Sequence, residues 1–109
     1  MNKVNIAKDF SRYPAGRYRS DGPYSGQQFR DDYLLPILSK GKKLTIELDG
    51  TKGYGSSFLE EAFGGLVRNG LSAKEVLASI QLITKDLSLK LEIEQYINSG
   101  SSGTPNDKQ

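Results

Sequence analysis

The sequence predicts an α/β fold: a single domain with a small mixed or parallel sheet and helices packed against it. Segments with apolar residues at alternating positions, typical of strands, take turns with segments whose apolar residues recur every three or four positions, typical of helices. Connections of the length found here favour neighbouring parallel strands with helices packed on the sheet. A chain of 109 residues has room for only one core.

The first predicted elements are two short strands. Val4, Ile6 and Phe10 place apolar side chains at even positions and predict the first strand. A turn that contains Pro and Gly, over residues 13–16, ends it. Residues 16–20 are predicted to form the second strand, because two arginines on one face alternate with a tyrosine on the other.

The first predicted helix begins after Ser25, whose hydroxyl is suited to cap it, and runs to about Ser39. Its apolar residues recur at helical spacing, which indicates one face directed towards a core. Pro36 has no backbone N–H to donate and is unfavourable in the interior of a helix. We therefore expect this helix to kink or restart near Leu35.

The middle of the chain predicts a strand, a loop and a second helix. Residues 43–48 alternate in polarity as a strand does, and residues 49–56 form a loop punctuated by glycines. The second helix is predicted over residues 57–69 and ends in an Asn-Gly pair. Gly64 and Gly65 each disfavour a helix by about 1 kcal/mol, so their presence indicates a close approach to the sheet or to another helix.

The C-terminal part predicts two further helices around a third core strand. Ser72 caps a short helix over residues 73–78, and alternating polarity predicts a strand over residues 80–84. Asp86 caps the last helix, which is expected to end at about Asn98. The buried face of that helix is predicted to carry Leu87, Leu91 and Tyr96 or Ile97.

The composition limits both the domain and its chemistry. The domain is expected to span residues 1–98, because residues 99–109 contain no hydrophobic residue and are predicted to be a disordered tail. The chain has no Cys and no His, which excludes disulfides, Ser-His and Cys-His dyads and most zinc sites. We therefore expect a protein that is not an enzyme and that uses no cofactor and no metal.

The distribution of charge and of apolar residues bears on the cellular location of the protein and on whether it binds membranes or nucleic acid. No apolar run approaches the roughly 20 residues that span a bilayer, and the N-terminus lacks a secretory signal pattern, so we expect a cytoplasmic location and no membrane contact. Residues 1–30 carry six basic and two acidic side chains, and the remaining residues carry nine basic and eleven acidic ones. This asymmetry is too small to predict binding to nucleic acid. The oligomeric state is left open.

The loop before the second helix is the most informative segment for function. A strand ends there, glycines permit unusual backbone angles, and Ser56 and Ser57 stand at the start of a helix. Sites in open α/β sheets lie at the carboxyl ends of strands, and the first N–H groups of a helix attract phosphate or carboxylate. The two serines are therefore candidates to bind an anion or to be phosphorylated. The alternative is that they only cap the helix.

Three arginines in the N-terminal part form a second candidate site. Arg17, Arg19 and Arg30 would form an anion clamp, since guanidinium groups suit phosphates and carboxylates. The alternative is that they form ion pairs with Asp21, Asp31, Asp32 or Asp49. Glu60 and Glu61 are predicted to lie on the solvated face of the second helix, where they complement its dipole.

Two segments of the chain resemble a known family. The run GTKGYGSSFLEEAFGGLVRNG, with the preceding LTIELD, resembles the central segment of STAS-like domains, which are relatives of the sulfate-transporter and anti-sigma-factor-antagonist fold. The upstream run GRYRSDGPYSGQQFRDDYLLPIL is similar to the N-terminal block of one uncharacterised bacterial STAS-like family. The two blocks span residues 16–70 and imply a STAS-like fold.

The resemblance implies a non-enzymatic regulatory module that acts by protein–protein contact. In anti-sigma-factor antagonists a serine at the start of this helix is phosphorylated by a histidine-kinase-like ATPase, and Ser56 matches that phosphoacceptor, with Ser57 beside it. Gly55 and Phe58 stand where an Asp and a Gly are usual. The residues expected to contact the partner are Asp49, Lys52, Tyr54, Phe58 and Glu61. The alternative function is a small-ligand domain that holds a nucleotide or another anion between the arginines and the helix start at Ser56.

Overall fold

The computed structural model describes residues 2–100, and the predicted tail over residues 99–109 lies outside the described residues from position 101 onwards. Three strands form one parallel sheet in the order β1-β2-β3, with β1 at Asn2–Asn5, β2 at Leu44–Glu47 and β3 at Ile80–Ile83. The register places Val4, Ile46 and Leu82 side by side across the sheet. The predicted α/β fold is confirmed.

Four helices follow the predicted order within the described part of the chain. Helix α1 consists of Gly26–Phe29, the π-helical Arg30–Leu34 and Leu35–Leu38. Helix α2 consists of Ser56–Leu59, the π-helical Glu60–Gly64 and Gly65–Arg68. Helix α3 spans Ala73–Ser79, and α4 spans Leu87–Gly100. Two single turns, the π-helical Ile6–Phe10 and the 3-10 helical Arg19–Asp21, precede α1. Across residues 2–100, no helix has the combination of length and apolar character that a membrane crossing requires.

The first strand is shorter than predicted. β1 stops at Asn5, and Ile6–Phe10 turn into a helical segment instead of extending the strand. The Asn5 side chain accepts a hydrogen bond from the Lys8 backbone N–H at 3.0 Å, and the Asp9 carboxylate accepts one from the Asn5 backbone N–H at 2.7 Å. Such bonds from side chains to the local backbone offer the chain an alternative to a strand.

The prediction of a second strand over residues 16–20 is wrong. The Asp21 carboxylate accepts hydrogen bonds from the backbone N–H groups of Arg17 at 3.1 Å and Tyr18 at 2.8 Å. These bonds fold the segment into a turn that continues as the short helical Arg19–Asp21. The two arginines therefore do not lie on one face of a strand.

Helix α1 changes its hydrogen bonding close to its proline. The π-helical segment ends at Leu34, and α-helical geometry resumes at Leu35 with Pro36 in the first turn of the resumed segment. Proline is tolerated in the first turn of a helical segment. The predicted restart near Leu35 is confirmed.

The core combines apolar residues of all three strands with those of the helices. Phe29, Phe58 and Phe63 are fully buried. The ring of Phe29 lies 6.0 Å from that of Phe58 and 6.4 Å from that of Phe63. Helices α1 and α2 approach each other at Gly26, where a Cβ atom would lie inside the van der Waals distance of the Phe58 carbonyl oxygen. The two backbones are therefore in direct contact at the start of α2.

The two glycines inside α2 lie where other helices approach it. A Cβ atom on Gly64 would lie 3.2 Å from the Tyr96 carbonyl oxygen of α4, and one on Gly65 would lie 2.5 Å from a guanidinium nitrogen of Arg30. Helix α4 continues two residues beyond its predicted end, to Gly100, whose Cβ position lies 2.6 Å from the Gly64 carbonyl oxygen. The predicted close approach is confirmed, and it involves helices α1 and α4.

The buried face of α4 differs from the prediction. Leu87 and Leu91 are 65% and 56% exposed, whereas Ile93 and Ile97 are fully buried and Leu89 packs against the core. Both sets of residues have the four-residue spacing of a helix face. The prediction was therefore right for Ile97 and wrong for the two leucines, because spacing alone does not say which of two apolar rows faces inwards.

Candidate functional site

The β2–α2 loop, residues 48–55, lies at the carboxyl edge of the sheet. Its first polar residue, Asp49, accepts a hydrogen bond from the Thr84 hydroxyl at 2.6 Å and one from the Lys85 backbone N–H at 3.0 Å. The hydrogen bonds from Thr84 and Lys85 lower the pKa of Asp49. Its ionised carboxylate thus ties the loop to the segment that follows β3.

Tyr54 holds the other end of the β2–α2 loop. Its hydroxyl donates a hydrogen bond to the Leu48 carbonyl oxygen at 2.5 Å, and its ring stacks on that of Phe58 at 6.1 Å. Burial raises the pKa of Tyr54 to about 12, so the hydroxyl keeps its proton and this bond at neutral pH. Between these two attachments, the Lys52 backbone N–H donates to the Arg12 carbonyl oxygen at 2.9 Å.

The two candidate serines are exposed at the N-terminus of α2. Gly55 occupies the cap position, Ser56 is the first helical residue and Ser57 the second. Within residues 2–100 neither hydroxyl has a hydrogen-bond partner. The capping alternative is therefore wrong for this helix; Ser25, by contrast, does cap α1, accepting a backbone hydrogen bond at 3.1 Å.

Two of the residues expected to contact a partner are buried. Phe58 has no exposed surface, and Glu61 is 6% exposed with an oxygen 2.5 Å from a guanidinium nitrogen of Arg30. The expectation that Phe58 and Glu61 contact a partner is wrong, because their side chains face the interior. Asp49 and Lys52 are exposed and Tyr54 is half-buried, so these three remain at the surface of the loop.

A network of ion pairs lies beside the start of α2. Arg17 contacts Glu60 at 2.5 Å and Glu61 at 3.0 Å, Arg30 contacts Glu61 at 2.5 Å, and Arg68 contacts Glu60 at 2.5 Å and Glu61 at 3.2 Å. The prediction that both glutamates lie on a solvated face is therefore wrong. Their carboxylates join the segment before α1 and α1 itself to α2.

The three arginines of the proposed anion clamp are all paired with carboxylates. Arg30 contacts Asp31 at 2.9 Å in addition to its contact with Glu61 of α2, and Arg19 contacts Asp32 at 2.9 Å. Arg17 pairs with α2 and not with an aspartate. This arrangement favours the ion-pair alternative and argues against an anion clamp at these positions.

Arg68, which was not among the predicted site residues, also belongs to the network. It lies seven and eight residues after the two glutamates, two turns along the same helix, and that spacing is the signal that would have found it. Burial opposes the ionisation of Glu60, but hydrogen bonds from Arg68 and Arg17 outweigh this effect and lower the pKa of Glu60. Glu60 is therefore a carboxylate at neutral pH.

The chemistry that the site offers is narrow. Within residues 2–100, no group of three His, Cys, Asp or Glu side chains is placed to hold a metal ion. The exposed hydroxyls next to the loop are those of Ser56 and Ser57.

A protein-family model described as a STAS-like domain of unknown function, DUF4325, matches residues 25–89. The match runs from the cap of α1 to the first turn of α4 and includes the β2–α2 loop. It covers more than half of the chain. The chain belongs to this STAS-like family. No curated protein and no solved structure matches the chain significantly.

Proposed function

We propose that this STAS-like domain is a regulatory module without enzymatic activity. It binds a protein partner through the β2–α2 loop and the start of α2, and phosphorylation of Ser56 or Ser57 switches that binding. The observation that carries the proposal is the pair of exposed hydroxyls without partners at the N-terminus of α2, beside a loop that is held at Asp49 and Tyr54.

A phosphate at this position would change the surface without changing the fold. Phosphorylation adds up to about two negative charges, and the N-terminus of a helix stabilises negative charge. The loop before Ser56 keeps its attachments through Asp49, Tyr54 and the Lys52 backbone. A partner that docks on the loop would therefore meet a new charge on an unchanged backbone.

The proposed partner, which the resemblance to anti-sigma-factor antagonists implies, is a histidine-kinase-like ATPase that acts as a serine kinase in the cytoplasm. The surface it would contact comprises Lys52, Ser56 and Ser57, with Asp49 and Tyr54 at the margin. Phe58 and Glu61 take no direct part, since both are buried.

The proposal is tested by incubating the protein with ATP and a candidate histidine-kinase-like ATPase. We expect a phosphate on Ser56 or Ser57 by mass spectrometry and a complex on a sizing column. Ser88→Ala is the matched control and should still be phosphorylated and form the complex. Ser88 is exposed at the second position of α4, as Ser57 is at the second position of α2. Phosphate on neither candidate serine, together with no complex, would overturn the proposal.

The small-ligand alternative has weaker support. It requires Arg17, Arg19 and Arg30 to be available to an anion, and each of them already contacts a carboxylate. Thermal shift distinguishes the two functions: stabilisation by a nucleotide that is lost in Arg19→Gln would favour the alternative.

A further inference from the structure

Two cations that form no ion pair within residues 2–100 line a cavity at the carboxyl edge of the sheet, together with the Asp49 carboxylate. The cavity, here the Lys8–Arg12 cavity, has a volume of about 260 Å³ and is lined by Asn5, Ala7, Lys8, Arg12, Asp49 and Gly50. Within the described residues, the side chains of Lys8 and Arg12 form no ion pair and no hydrogen bond. They differ in this from Arg17, Arg19 and Arg30, which are all paired.

The fold builds this cavity from the ends of two neighbouring strands. β1 and β2 end side by side, with Asn5 opposite Glu47, and the helical turn after β1 brings Lys8 to the cavity wall. Gly50 adopts a φ of 108°, and a Cβ atom there would lie 3.1 Å from the Ala7 Cβ atom. A glycine is required at this position both for its backbone angle and to keep the space open.

The acidic groups near the cavity accept hydrogen bonds from neutral donors, which do not cancel the charge of a carboxylate. The Asp49 carboxylate accepts hydrogen bonds from Thr84 and Lys85, and the Asp9 carboxylate accepts one from the Asn5 backbone. The side chains that line the cavity carry two positive charges against one negative charge. The Lys52 backbone N–H, which donates to the Arg12 carbonyl oxygen at 2.9 Å, ties the loop to the segment that carries Arg12.

We propose that the Lys8–Arg12 cavity binds the phosphate group of a small molecule. The planar guanidinium of Arg12 and the point charge of Lys8 are the two cationic groups that recognise phosphate in proteins, and ligands of open α/β sheets bind at the carboxyl ends of the strands. A cavity of about 260 Å³ lies below the usual range of about 300–1,000 Å³ for larger ligands. It therefore suits inorganic phosphate or the phosphate end of a mononucleotide.

The test is a titration of the isotopically labelled protein with inorganic phosphate at constant ionic strength, followed by NMR. We expect saturable shifts of the backbone amides over residues 5–12 and 49–52. Arg12→Gln and Lys8→Gln should each weaken binding by about tenfold. Both side chains are exposed, and the spectrum itself shows whether each variant is folded.

The matched control is Lys40→Gln, since Lys40 is also exposed but precedes β2, at the opposite end of the sheet. It should bind phosphate as the unaltered protein does. A comparison of AMP with inorganic phosphate identifies the ligand. Tighter binding of AMP indicates a nucleotide, and equal binding indicates phosphate alone.

Three results would overturn the proposal: no saturable shift, equal affinity in Arg12→Gln, or shifts confined to the amides of Ser56 and Ser57. The last would place the anion at the start of α2. The inference uses neither candidate serine, so its failure would leave the proposed regulatory function untouched.

Discussion

Glu61 illustrates what local pattern does and does not reveal about a single residue. Adjacent helical residues point about 100° apart, so Glu60 and Glu61 can differ in burial although both contact Arg17 and Arg68. The structure turns Glu61 inwards against Arg30 of α1 and leaves Glu60 partly exposed. That choice depends on how α1 packs on α2, and no pattern within either helix contains this information.

The Glu61 carboxylate should therefore matter for stability. Glu61→Gln removes the charge that faces the buried Arg30 guanidinium, and losing one partner of a buried ion pair costs about 3 kcal/mol. Urea unfolding of the variant measures this loss. Glu94→Gln is the control, because Glu94 forms no ion pair within residues 2–100, and a similar loss in both variants would show that the pair has no special role.

The Glu60 network makes stability depend on acid pH. The folded protein lowers the pKa of Glu60 from its ordinary value of 4.5, so its contribution is complete above that value and disappears as the pH falls through the lower, folded pKa. We expect the free energy of unfolding to decrease as the pH falls below 4.5. Glu60→Gln should flatten this decrease in urea titrations over the same range, and an unchanged slope would contradict the assignment.

The burial of Phe58 was predictable from the spacing of the apolar residues in α2. It begins an i, i+4, i+8 row with Ala62 and Leu66, and all three are fully buried. Ser56 and Ser57 precede the row, and their place at a helix start was predictable from the glycines and the strand before them. The lack of hydrogen-bond partners of the two serines was not predictable, because it depends on Gly55 occupying the cap position.

Among the elements, those bounded by local side-chain bonds were the most predictable. Ser72 and Asp86 accept the capping hydrogen bonds expected of them, at 3.0 and 3.1 Å, and Gly70 ends α2 with a φ of 110°. The strand predictions for the N-terminal segment were partly wrong because side chains there also bond to the local backbone. Asp9 and Asp21 accept hydrogen bonds from nearby backbone N–H groups, and these bonds replace the predicted strands. The alternation of apolar residues does not reveal such local bonds.

The crossing of α1 and α2 should be intolerant of any side chain at Gly26. A methyl group there meets the Phe58 carbonyl oxygen, a backbone atom that cannot move without displacing α2. We expect Gly26→Ala to destabilise the protein by about 1–3 kcal/mol in thermal or urea unfolding. Gly55→Ala is the comparison, because no atom lies within 4 Å of its Cβ position; equal effects would mean that the helices are not in contact at Gly26.

Truncating the buried apolar row of α4 should cost more stability than truncating its exposed row. Ile93→Ala opens a cavity in the core and should cost about 2–4 kcal/mol. Leu91→Ala removes a side chain that is 56% exposed and should cost less than about 1 kcal/mol. Denaturant midpoints measure both, and a larger loss for Leu91→Ala would reverse the assignment of the buried face.

At the scale of the whole molecule, parallel topology gathers the candidate sites at one edge. The strands β1, β2 and β3 all end there, so the Lys8–Arg12 cavity and the β2–α2 loop share the Asp49 region. The alternation of strands and helices was sufficient to predict this edge. It was insufficient to predict which cations are paired, because Arg17 meets partners more than 40 residues away in the sequence.

The proposed regulatory role is tested most directly by calorimetric titration of a candidate histidine-kinase-like ATPase with four proteins: the unaltered chain, Ser56→Glu, Ser57→Glu and Ser88→Glu. A negative charge at the loop should weaken binding by about tenfold or more in at least one of the first two variants. Ser88→Glu adds the same charge at the equivalent position of α4 and should bind as the unaltered chain does. Equal dissociation constants for all four proteins would contradict a contact at the start of α2.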